Sequence, residues 1–135
     1  MKKGFSDNRR CFVCGENNPD GLRLALRIDQ GQGRAAADVV FPERFQGWEG
    51  IVHGGLLATV LDEVMIYAAG SNGLRCVTGE ITVRFVKPAR TGAAYRLEGR
   101  ITGAKGKITL AESELVGADG EISARATGKL FKVSA

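Results

Sequence analysis

The single histidine of the chain, His53, is followed by Gly54 and Gly55, and two adjacent acids, Asp62 and Glu63, stand a little further on in an apolar stretch. Glycines at a helix start let a ligand approach the backbone, and the free N–H groups there bind oxyanions. A carboxylate among apolar residues suits proton abstraction, because burial without a partner disfavours its charged form. His53 has no Ser or Cys nucleophile beside it and cannot build a metal site alone, so its expected role is hydrogen bonding at the helix start. Cys11-Phe12-Val13-Cys14 has zinc-knuckle spacing. A tetrahedral site needs four ligands, however, and the chain offers no second pair. Cys76 and His53 are the remaining candidates and sit beside elements with other work. No metal and no cofactor are therefore expected, and the Cys pair reads as a tight loop of buried or half-buried thiols.

The elements that must position these groups follow from periodicity. Leu22, Leu24, Leu26 and Ile28 alternate with polar and small residues, which predicts a half-buried strand. Gly31-Gln32-Gly33 predicts a turn into a second strand at about 34–41. After a loop at 42–51 carrying Gln46, Gly47, Trp48 and Gly50, the one convincing helix spans about 53–69 and is closed by Gly70-Ser71-Asn72-Gly73. Four strands are predicted beyond it. One centres on Ile81, Val83 and Phe85 and the next on Tyr95, Leu97 and Ile101. The last two run over 108–116 and 122–133, with turns at 103–107 and 118–120. Two strands, one long helix and four strands in hairpin succession predict an α+β fold, an antiparallel sheet curled around a buried helix.

On the helical wheel, Leu56, Leu57, Val60, Leu61, Val64, Met65 and Ala68 fill one half, while Ala58, Thr59, Asp62, Glu63, Ile66 and Ala69 fill the other. The second half is largely apolar too. Its covering is therefore expected to come from a partner subunit. Glu63 is placed toward Thr59 and Tyr67, where a hydrogen bond or salt bridge would hold it.

The chain has 135 residues, enough for one domain over 1–135, with 1–20 as an N-terminal arm containing the Cys-x-x-Cys loop. Its apolar fraction of 44% and charged fraction of 25% fit a soluble globular class. No apolar run approaches the roughly 18 residues of a membrane span. The start of the chain lacks an apolar signal region, so a cytoplasmic location is expected. The net charge of +4 includes Lys2, Lys3, Arg9 and Arg10. Only nine aromatics are spread along the chain, which argues against a nucleic-acid surface. A mild positive field suits a small phosphate-bearing ligand instead.

Taken together, "GIVHGGLLATVLDE", with "CFVCGENNPDGL" and "FQGWEG" before it and "ITVRFVKPA" after it, resembles the hotdog-fold acyl-CoA thioesterases of the phenylacetate-pathway (PaaI-like) group. The resemblance runs from Cys11 to the end of the chain. It implies that Gly54 offers its N–H to the thioester carbonyl, with His53 and Gly55 bordering the substrate. It also implies that Asp62 activates water or attacks directly, from the subunit opposite that glycine, and that the Thr78 hydroxyl helps position the water. Many relatives carry Asn six residues before the histidine. Here that position is Gly47, and Gln46 is the candidate to take over its part in positioning substrate.

The expected reaction is hydrolysis of acyl-CoA to a carboxylic acid and CoA in a homodimer that assembles further to a homotetramer. Arg84, Lys87, Arg90, Lys105 and Lys107 are the candidates for meeting the CoA phosphates. Two rivals differ in class: a non-catalytic acyl-CoA binding module, and a hotdog dehydratase acting on acyl carrier protein. The dehydratase chemistry pairs a catalytic His with an acid in a different His-to-Pro loop motif, which is not found here.

Overall fold

The computed structural model describes residues 5–133, so Lys2 and Lys3 of the basic arm lie outside the described residues. Alternation in Arg34–Val40 builds a strand with Ala35, Ala37 and Val39 turned inward. It is β2, following the three-residue β1 at Arg27–Asp29. A single 3-10 turn at Glu43–Phe45 leads through the loop to the helix α1, Gly54–Ser71. Then come β3 (Cys76–Phe85), β4 (Ala94–Lys105), β5 (Ile108–Gly117) and β6 (Ile122–Lys132). All pair antiparallel in the order β1-β2-β4-β5-β6-β3. One long helix packed against a curved six-stranded sheet is the hotdog architecture that the resemblance implies.

The helix lies directly on the sheet because the strands beneath it carry small residues. A Cβ at Gly99 would sit 2.8 Å from the Val64 carbonyl oxygen, and one at Gly128 would sit 2.9 Å from the Met65 terminal methyl. Leu57, Val60, Leu61, Val64, Met65 and Ala68 are buried against Ala37, Leu97, Ala111, Leu115, Ala124, Ala126 and Leu130. Burying each large aliphatic side chain contributes roughly 1.5–3 kcal/mol, so this face sets the rotation of the helix. Ser113 reinforces it by donating its hydroxyl to the Leu61 carbonyl at 2.8 Å.

Two expectations need correction. The strand predicted from Leu22 to Ile28 is in ladder only at Arg27–Asp29. The N–H groups of Leu22 and Leu24 instead donate to the carbonyls of Phe12 and Val13, both at 2.8 Å, so this segment straps down the Cys-x-x-Cys loop. Ala69, assigned to the outer half of the helix, is fully buried within the subunit. The other outer residues, Ala58, Thr59, Asp62, Glu63 and Ile66, are half-buried. Strand β3 ends the sheet, and no strand covers its outer edge among the described residues. Beside that edge Val77, Phe85, Val86 and Phe131 remain exposed.

Candidate active site

The start of α1 is built by His53. Its Nδ1 accepts the Gly55 N–H at 2.9 Å, so the imidazole caps the helix, as the sequence led us to expect. The His53 backbone is held in turn by its own N–H donating to the Phe45 carbonyl at 2.9 Å. The Gly54 N–H makes no hydrogen bond among the described residues. It is the free donor that the first turn of a helix leaves available to an oxyanion. A Cβ at Gly54 would meet the Phe85 ring at 3.4 Å, which places this donor at the C-terminal end of β3. Gln46 is close by but is used within its own loop, accepting the Gly50 N–H at 3.0 Å. A Cβ at Gly47 would press against His53 at 3.4 Å.

Asp62 stands two turns further along α1. Its Oδ1 accepts the Thr78 hydroxyl at 2.5 Å. Thr78 reaches it because the β3–β6 register shifts between Thr78 and Glu80, leaving Gly79 as the extra residue of a bulge. The Phe131 ring occupies the space above that glycine, where a Cβ would lie 1.9 Å from the ring. The resemblance had singled out the Thr78 hydroxyl for the water; its bond to Asp62 and the bulge that permits it come from the structure.

Eight residues at ~1.5 Å each separate Gly54 from Asp62 by ~12 Å along the helix. That is too far for both to act on one carbonyl group of the same substrate. The structure therefore brings Asp62 and Thr78 together and leaves Gly54 apart from them within one subunit.

Glu63 turns the other way. Its Oε2 accepts the Cys11 thiol at 3.1 Å, and Tyr67, one turn later, lies beside Cys14. Burial, foremost, pushes the Cys14 thiol up to about 12, with Glu63 and Cys11 adding to the effect against the Tyr67 hydrogen bond. Tyr67 is likewise raised, first by burial and then by its bond to Cys14. The sequence placed Glu63 toward Tyr67 but did not foresee its thiol partner.

The basic candidates divide by position. Lys87 is already engaged, donating to Asp119 at 3.0 Å and Glu121 at 2.5 Å. The Lys87 ammonium is raised chiefly by the Glu121 bond, and Asp119 is lowered by a backbone N–H of Glu121 and by Lys87. Arg84 is exposed opposite Arg125 on the β6 neighbour. Arg90 is exposed near the Phe85 end, its backbone N–H donating to the Tyr95 hydroxyl at 2.8 Å. Lys105 and Lys107 flank the β4–β5 turn at the Thr78 end of the sheet, since Ile108 faces Phe131 and Phe131 faces Val77.

Residues 49–124 match the family model of the thioesterase superfamily. The "putative esterase" of Saccharolobus solfataricus is 27% identical over 106 residues, covering 77% of this chain and 75% of its own. Among solved structures, the thioesterase superfamily protein RHA08564 superposes with a TM-score of 0.84 at 26% identity, over 92% of this chain and 60% of that one. The chain therefore spans about three fifths of that neighbour. The E. coli PaaI protein from the phenylacetic acid degradation operon follows the same fold, with a TM-score of 0.77 at 20% identity over 84% of this chain and 82% of its own. So does smu.793 from Streptococcus mutans, bound to acetyl CoA, with a TM-score of 0.75 at 18% identity over 83% and 89%.

Proposed function

The chain belongs to the thioesterase superfamily, and we propose that it hydrolyses acyl-CoA to a free carboxylic acid and CoA at a site shared by two copies of the chain. The observation that carries this reading is the separation, along one helix, of a free N–H donor at Gly54 from the Asp62–Thr78 pair. A two-fold copy pairing antiparallel along the open edge of β3 would set the Phe85 end of one subunit beside the Thr78 end of the other. The partner's Gly54 would then face this chain's Asp62. The exposed Val77, Phe85, Val86 and Phe131 would be covered by the same contact. The acetyl CoA held by the Streptococcus mutans neighbour supports the choice of a CoA thioester.

In this arrangement the thioester carbonyl oxygen accepts the Gly54 N–H, and the positive end of α1 stabilises the charge that develops on it. Asp62 takes a proton from water, which Thr78 helps hold, and the water oxygen bonds to the carbonyl carbon. Collapse of the tetrahedral species breaks the carbon–sulfur bond. CoA leaves as thiolate, and the proton taken up by Asp62 returns to solvent or to the sulfur. Lys105 and Lys107 of one subunit and Arg90 of the other flank this seam and would meet the CoA phosphates. Lys87, neutralised by Asp119 and Glu121, contributes less than the sequence suggested, and Gln46 acts by shaping the loop.

The test is CoA release from a panel of short, long and aromatic acyl-CoAs, with light scattering at micromolar concentration. Turnover by a dimer or a larger even assembly is expected. An active, monodisperse monomer would overturn the shared site. Tight acyl-CoA binding with no thiol released would mark a binding module instead.

A further inference from the structure

The Cys-x-x-Cys loop has a third donor that the sequence concealed. The Cys11 and Cys14 sulfurs and a Glu63 carboxylate oxygen all lie within 4.8 Å of one another. We infer that Cys11, Cys14 and Glu63 form a zinc site that clamps the N-terminal arm onto α1, on the side of the helix turned away from the thioesterase chemistry.

The loop is shaped for ligation. The Val13 N–H points at the Cys11 sulfur at 3.4 Å, a donor that stabilises negative charge there. Gly15 folds back so tightly that a Cβ would lie 2.4 Å from the Cys11 nitrogen, and its N–H donates to the Cys11 carbonyl at 2.8 Å. Val13 is buried and the Phe12 and Val13 carbonyls are bonded to the following segment, so the two sulfurs are presented by an anchored turn.

Two thiolates and one carboxylate are a donor set that zinc accepts, with water completing a tetrahedron. The Cys11 thiol now donates to Glu63, which holds the two ligand atoms at 3.1 Å. On binding, both thiols release their protons to water as two sulfur–zinc bonds and one oxygen–zinc bond form. The inference does not depend on thioester hydrolysis, and its test reads the metal directly.

The experiment titrates the reduced, chelator-stripped full chain with zinc against a chromophoric chelator, and separately with cobalt while recording thiolate-to-metal charge-transfer absorption. One equivalent per chain is expected, with charge-transfer bands showing sulfur ligation. Cys11→Ser and Cys14→Ser should each abolish those bands. Glu63→Gln should weaken binding by at least about tenfold, and Cys76→Ser should leave it unchanged. Circular dichroism checks that each variant is folded, while the wild-type titration stands whatever the variants do. Absence of a stoichiometric site in the wild-type chain would overturn the inference. So would undiminished binding by Glu63→Gln, or binding that depends on Cys76 rather than on Cys11 and Cys14.

Discussion

Exchanging each of the two adjacent acids for its amide separates their roles. Asp62 and Glu63 differ by ~100° about the helix, and they touch different groups. Asp62 takes the Thr78 hydroxyl beside the open edge of β3, whereas Glu63 takes the Cys11 thiol beneath the arm. Asp62→Asn preserves size, and its remaining carbonyl oxygen can still accept from Thr78, so the local packing is kept. What it removes is the proton acceptor, so turnover should fall by roughly 10²–10⁴-fold. KM should change little, because the missing interaction belongs to the transition state. Glu63→Gln sacrifices part of a charge-assisted hydrogen bond. Fully buried, such a bond contributes ~1.5–3 kcal/mol, and its half-exposed setting reduces the expected loss of stability to about 1 kcal/mol. Its turnover should stay within about threefold of wild type, well short of what losing a catalytic acid costs. Both variants would be assayed by steady-state kinetics on the best acyl-CoA in the presence of chelator, with denaturant unfolding in parallel. If Glu63→Gln is the inactive variant and Asp62→Asn stays active, the assignment of the base is wrong.

Thr78→Val keeps the shape of the side chain but removes the hydroxyl that meets Asp62, so turnover should drop by about tenfold or more; unchanged kinetics would return Thr78 to a purely structural role. Gly79→Ala should destabilise the chain by about 1–3 kcal/mol, because the added methyl would fall 1.9 Å from the Phe131 ring and overpack the bulge. Paired with Phe131→Ala, the same substitution should lose most of its cost, and a double-mutant cycle without coupling would refute that explanation.

The helix and the later hairpins were legible because each is a local pattern. Period 3.6 marked the buried face of α1, period two marked β3 and β4, and turn residues bracketed β5 and β6, so the sheet then had few ways to close. The first strand was misread for an instructive reason. Alternation at Leu22, Leu24 and Leu26 reports which side faces the core, and Leu24 is indeed buried. It does not report where the backbone hydrogen bonds go, and here they go to Phe12 and Val13. His53 was legible as a helix-start group because a capping acceptor acts within two residues. The Cys11–Glu63 contact spans 52 positions, and nothing in the spacing of either residue announces the other.

Why α1 carries two consecutive carboxylates follows from what covers its outer half. That half has two neighbours rather than one. The arm, strapped down by Leu22 and Leu24, covers the side where Glu63 and Tyr67 project. The side of Asp62 faces β3, whose bulge at Gly79 presents Thr78 and whose outer edge has no strand among the described residues. A polar residue at a half-buried position persists where it finds a specific partner, since desolvation without one costs more than the bond returns. Glu63 has its partner within the chain. Asp62 has Thr78 on one flank, and on the other it faces the seam where, in the proposed dimer, the Gly54 of a second copy and the substrate carbonyl would meet. The adjacency of the acids therefore marks a boundary on the helix, with a structural contact on one side and the proposed reaction on the other.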